Sequence, residues 1–276
     1  MADRGVARIL SVVPPAPGES RPRKPIPPFE TPENALRRVV AAYHERGMGI
    51  KDVFSAIFGP GHEAAAKKVA ERLDSFTETD LRDSFAISLL TVHEYTKSAE
   101  YALKTMDFCS TASGRAGASD ASEACTASHI ARIVSNIGTR LDHNPSDTLD
   151  LLFGFSESEH LMGDIIRIIM CLSRISVNTY EPRVFNEVLR ATRMLSQYSP
   201  SSIPCFVSSM ARLSDQGEID AVWNASGAMV TIWTLRKCCV AYMMDLMEAV
   251  HDKDPDGISG IADDLRAIMC DIERRR

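Results

Sequence analysis

The sequence predicts an all-α protein, a two-domain multi-helix bundle, and three observations carry that reading. Ala, Leu, Ile and Met are plentiful while aromatics are few, with two Trp, six Tyr and ten Phe in 276 residues, a balance of propensities that favours helix over strand. Apolar residues recur at i+3 and i+4 steps through most of the chain. Prolines, which interrupt helices, are concentrated: eight of the 14 (Pro14, Pro15, Pro17, Pro22, Pro25, Pro27, Pro28 and Pro32) fall within nineteen residues.

Each element follows from local signals. Residues 14–32 hold too many prolines for a regular helix or a central strand and read as a polyproline-like arm carrying Arg21, Arg23 and Lys24. Thr31 and Pro32 suit the N-cap and first position of a helix whose apolar side is Leu36, Val39, Val40 and Tyr43, ending at Gly47 and Gly49. A short helix follows over Ile50–Phe58, closed by Gly59-Pro60-Gly61. An amphipathic one runs from His62 to Leu73 with Lys67, Lys68, Glu71 and Arg72 on its polar side.

A single long helix is expected over Thr77–Phe108, and the small, polar residues 109–119 read as an exposed loop. Asp120-Ala-Ser-Glu123 looks like a capped start to a helix reaching about Leu141, broken by Asp142-His-Asn-Pro145. Further helices are expected near 146–153, 157–175, 183–197, 201–213, 215–250 (broken near Gly227) and 258–273. The expected domains are an N-terminal segment and arm (1–30), an N-terminal helical domain (31–178) and a C-terminal one (179–276), the boundary falling at Asn178-Thr-Tyr-Glu-Pro182.

Composition narrows function. The strongest apolar stretches, Ile165–Leu172 and Ala225–Trp233, are far shorter than the roughly 18–20 residues of a membrane span. Residues 1–13 lack the layout of a signal peptide, so the protein is expected to remain in the compartment where it is made. Seven cysteines, with Cys238 and Cys239 adjacent, fit reduced thiols better than a disulfide framework. A net charge of −6 argues against a generally basic, nucleic-acid-coating protein, although residues 1–50 hold eight Lys/Arg against five Asp/Glu and residues 201–276 eight against twelve.

Sites for chemistry are sparse. No phosphate-cradling glycine loop, dinucleotide fingerprint, HExxH pair or nucleophile elbow occurs, so no enzyme, catalytic residue, cofactor or small-molecule substrate is expected. Cys125 and His129, with Cys109 upstream, form the nearest approach to a zinc set but lack a second pair at finger spacing, and no metal site is expected. Asp252, Asp254 and Asp256, Gly257 and Asp263 nearly meet the calcium-loop spacing. Pro255 at the fourth position, Ser259 at the eighth and an Asp where the bidentate Glu belongs depart from it, and a solvated interhelical turn is the preferred reading. Basic clusters remain: Arg21/Arg23/Lys24, Arg37/Arg38, Lys67/Lys68/Arg72, Arg236/Lys237 and Arg274–Arg276. Were several to converge on one surface they would suit RNA phosphates or anionic lipid headgroups.

Several segments, in order, resemble the matrix proteins of orthomyxoviruses, the influenza matrix protein among them. Ile9-Leu10-Ser11-Val12-Val13-Pro14 is similar to a stretch near that family's start. Glu33–Arg46, then Ile50–Phe58 leading into Gly59-Pro60, is similar to its helix and following apolar helix. Glu63 and Lys67-Lys68-Val69 match its acidic residue and basic run, Ser122–Gly138 its small-residue middle helix, and Asp256–Leu265 its last helix with the preceding turn. Together the matches cover about a third of the chain. The influenza members are basic, with a nuclear-localisation cluster and a Cys/Cys/His/His motif. Here Val92–Asp107 holds only Lys97 and Lys104, and Cys171 has no nearby Cys or His, departures that a divergent thogotovirus-like or quaranjavirus-like member would tolerate.

The resemblance implies a viral structural protein that self-assembles as a homo-oligomer beneath the envelope. It would touch anionic membrane on one face and viral ribonucleoprotein or RNA on another during assembly and budding. Its expected location is the inner face of the virion envelope and the host cytoplasm and nucleus. Lys67, Lys68 and Arg72 would meet the acidic partner, with Arg37 and Arg38 secondary. Residues 1–13 would be docked, leaving about 15–30 flexible, and Pro14-Pro15-Ala16-Pro17 is similar to a PxAP late-budding motif. The rivals are an RNA-encapsidating nucleocapsid protein of a segmented negative-strand virus, whose groove needs more basic residues than this chain offers, and a cellular helical adaptor.

Overall fold

A computed structural model describes residues 32–115, 119–140, 145–155, 161, 163–179, 182–235 and 240–274. The proline arm and residues 1–13, Pro14-Pro15-Ala16-Pro17, Arg236/Lys237, Cys238 and Cys239 lie outside the described residues, as do Arg275 and Arg276. Among the described residues there are thirteen α-helices, one short 3₁₀ turn and no strand, so the all-α multi-helix reading stands.

Two compact units divide between Phe153 and Gly154. The first contains α1 (Pro32–Glu45), α2 (Ile50–Phe58), α3 (Glu63–Asp74), α4 (Thr79–Thr96), α5 (Ala99–Arg115), α6 (Asp120–Arg140) and α7 (Ser146–Gly154). Helix α4 is its axis, packed by α6, α5, α1 and α3. From Phe85 to Val92 every α4 residue is buried, as expected of a helix with neighbours all round. Its polar members satisfy themselves: the Ser88, Thr91 and Thr96 hydroxyls each donate to a carbonyl one turn earlier at 2.8 Å. Helix α6 comes close at Gly138, where a Cβ would overlap the Tyr95 ring.

The single helix expected over Thr77–Phe108 is two. Lys97 takes the left-handed conformation (φ 56°) and its N–H caps His93 O at 2.7 Å, ending α4. Lysine is not a residue that announces such a stop, so periodicity ran straight through it. The loop expected at 109–119 is also corrected, because α5 continues to Arg115. Cys109, Ala112 and Ser113 are buried on it. Their small size allows a neighbouring helix to come close, and the same smallness resembles loop composition in the sequence.

The second unit contains α8 (Ile165–Asn178), α9 (Pro182–Tyr198), the 3₁₀ turn Pro200–Ser202, α10 (Ile203–Asp215), α11 (Ile219–Leu235), α12 (Val240–Asp252) and α13 (Pro255–Arg274). Helix α8 packs on α10, burying Ile165, Ile168, Ile169, Leu172 and Ile175. Helix α11 is the second axis, touching α9, α10, α12 and α13. The unit division therefore precedes α8 and does not fall at 178/179. The Asn- and Pro-marked stretch is only the link from α8 to α9, since α8 spends its apolar face on α10. No break occurs at Gly227, which lies inside α11.

The calcium-like spacing does not form a loop. Helix α13 starts at Pro255, and Asp254 caps it by accepting the Gly257 N–H at 3.0 Å. Asp256 and Asp263 thus lie two turns apart on one helix, and Asp263 pairs with Arg266 at 2.5 Å. The turn between α12 and α13 is reduced to Lys253 and Asp254, with Lys253 left-handed at φ 57°.

Candidate anionic-surface site on helix α3

Helix α3 is set by a glycine hinge. Gly59 and Gly61 have φ of 82° and 88°, angles that favour residues without a Cβ, and they turn the chain from α2 into α3. The Gly61 N–H donates to Glu63 Oε1 at 3.1 Å, and backbone N–H groups at the helix start hold the Glu63 carboxyl below its ordinary range. Ala66, Val69, Ala70 and Leu73 bury the inner side of α3. That register sends Lys67, Lys68 and Glu71 outward.

The three basic residues of this helix have different settings. Lys67 lies 3.6 Å from Glu71 with both side chains about two-thirds exposed. Lys68 meets Asp107 of α5 at 2.8 Å, both about half exposed. Pairs so open to water contribute little and are readily exchanged for other ions. Arg72 is half-buried and held by several partners. Its Nε donates to Glu123 Oε1 at 3.1 Å, its Nη2 pairs with Glu123 Oε2 and lies 3.6 Å from Asp120, and its Nη1 donates to Ser75 Oγ. The guanidinium also lies over the Phe76 ring at 4.9 Å. Glu123, only 3% exposed, accepts a third bond from Ser110 Oγ at 2.6 Å. Hydrogen bonding to Glu123 raises the Arg72 pKa, outweighing the burial that would lower it.

Arg37 and Arg38 are exposed on α1, on the side away from buried Leu36 and Val40. They sit on a helix that packs against α4 and α2, whereas α3 packs against α2, α5 and α4. The structure thus groups Lys67 and Lys68 as an outward pair and ties the half-buried Arg72 to the buried carboxylate of Glu123. Sequence reasoning missed Asp107 and Glu123 as the acidic partners. They lie 39 and 51 residues from Lys68 and Arg72, and Glu123 carried only the signature of a helix start.

The zinc-like set does not assemble. Among the described residues no three His, Cys, Asp or Glu side chains are grouped to hold a metal. Cys109 is buried, Cys125 is exposed, and His129 is half-buried with Nδ1 unbonded. Burial, with the nearby Glu123 charge, pushes the Cys109 thiol well up, and burial lowers His129. Among the described residues no helix is long and apolar enough to cross a membrane. No family model, curated protein or solved structure matches the chain.

Proposed function

We propose that this chain is a structural, matrix-type viral protein that self-assembles beneath an envelope and meets anionic membrane peripherally through helix α3. The observation that carries the reading is the outward pair Lys67 and Lys68 on a helix anchored by four buried apolar residues. In order along the chain, that pair falls where the matrix resemblance has its basic run. The acidic partners Glu71 and Asp107 are exposed, so exchanging them for lipid phosphates costs little. Arg72 contributes less to this reading than the two lysines, since its charge is paired with the buried Glu123 carboxylate. Arg37 and Arg38 are the secondary basic positions, suited to viral ribonucleoprotein or RNA.

Co-sedimentation with phosphatidylserine vesicles tests the proposal. Each lysine near an anionic surface contributes about 1 kcal/mol, so Lys67→Gln with Lys68→Gln should weaken binding roughly 30-fold and flatten its salt dependence. Neutral phosphatidylcholine vesicles should leave the protein in the supernatant. If the wild-type chain ignores phosphatidylserine vesicles and instead protects RNA from nuclease, the matrix reading fails and an RNA-encapsidating role replaces it.

A further inference from the structure

The second unit contains an open-sided cavity of about 280 Å³ between α9, α11 and α13. Trp223 and Gly227 of α11, Glu187 and Arg190 of α9 and Arg266 of α13 line it. None of these residues belongs to the lipid-facing proposal for α3.

Gly227 is the first clue. It lies in the middle of α11, where glycine is a poor helix former. A Cβ there would meet nothing within 4 Å, so neither a turn nor a close backbone approach accounts for it. The missing side chain leaves open space along the cavity lining. The second clue is the arrangement of charge. Arg266 is held in place by Asn224 Oδ1 at 2.7 Å and Asp263 at 2.5 Å, and Asn224 is itself tied to Ser259 at 3.3 Å. Arg190 is largely exposed and only 3.7 Å from Glu187 in a loose pair. Arg183, which is not part of the lining, lies over the Trp223 ring 5.8 Å from its centre. Glu187 is mostly covered and acceptor-only.

An indole wall, two guanidiniums and one covered carboxylate define a ligand with a flat ring bearing N–H donors and an attached anion. Aromatic stacking beside arginines is how single nucleotide units are held without a duplex, and the volume is at the small end of ligand pockets. The geometry points to this cavity as a site for one nucleotide unit, its base against Trp223 with ring N–H groups towards Glu187, its phosphate held by Arg190 and Arg266. A free nucleotide and a nucleotide of single-stranded RNA present the same chemistry.

Titration of the full chain with GMP and with a guanine-containing single-stranded RNA hexamer tests the site. Tryptophan fluorescence is read in a Trp233→Phe background that leaves Trp223 as the sole tryptophan. Equilibrium dialysis of labelled GMP and labelled hexamer against the unmodified chain provides an independent measurement. Saturable binding is expected, weakened at least about tenfold by Arg266→Ala. Gly227→Ala should raise the thermal midpoint, because alanine is the better helix former, while weakening binding, a pair of signs that misfolding cannot produce. Comparable affinity for GMP and the hexamer identifies a free-nucleotide site; a hexamer that binds at least about tenfold tighter identifies a single-strand subsite. No binding of either at millimolar ligand, or binding unchanged by both Arg266→Ala and Gly227→Ala, overturns the assignment.

Discussion

Three residues in the first unit have environments strict enough to predict. Glu123 is a carboxylate 3% exposed whose charge is matched by Arg72. Arg72→Ala should cost about 3 kcal/mol by leaving it unpaired, while Arg72→Met with Glu123→Leu should recover most of that loss in urea unfolding, since a buried pair replaced by apolar volume is often neutral. Gly138 faces the Tyr95 ring without room for a methyl group. Gly138→Ala should therefore destabilise by about 1–3 kcal/mol through overpacking, against the gain that alanine brings to an open helix position.

His93 is the third. Burial, then the charges of Lys97 and His62, lower its pKa from 6.5 to about 4, and its ring packs on Phe58 with centroids 5.0 Å apart. Because the folded value is depressed, the unfolded chain binds this proton between those two values and the folded chain does not. The contribution is whole above pH 6.5 and is lost as pH falls towards 4, a difference of about 3 kcal/mol. Urea midpoints of the wild type should drop more steeply between about pH 7 and about pH 4.5 than those of His93→Leu; equal slopes would remove His93 as the cause.

At the scale of elements, helix ends carry the testable strain. Lys253 sits left-handed at φ 57° in the short turn before α13, a conformation that costs an ordinary residue about 1 kcal/mol and glycine little. Lys253→Gly should raise stability by about 0.5–1 kcal/mol, seen as a few degrees in the thermal midpoint. Asp254→Ala should lower it by about 1 kcal/mol through loss of the α13 cap. The same turn explains why the acidic spacing at Asp252–Asp263 does not build a cation loop: Pro255 is well placed at the start of a helix, and Gly257 is carried inside it. Ends marked by Gly or Pro, such as Gly47 and Gly59-Pro60-Gly61, were legible from residues alone, whereas the start at Pro255 lies three residues before the expected 258. The end at Lys97 was not, because only contacts made by the folded unit hold a lysine there.

At the scale of the whole molecule, two units with separate cores predict two unfolding transitions. Calorimetry should give a measured enthalpy above the van't Hoff value, and Gly138→Ala should move one transition and leave the other. The all-helical class, most helix positions and the outward face of α3 were written in local periodicity and composition, which need no knowledge of distant residues. What the sequence by itself determined, then, is which segments are helices and which of their sides are apolar. Only the tertiary structure decided that α8 belongs to the second unit, that Arg72 pairs with Glu123, and that Trp223, Gly227, Arg190 and Arg266 border one cavity. Each of those outcomes depends on pairing between helices far apart in the chain, and the energy of such a contact exists only once folding has brought the helices together.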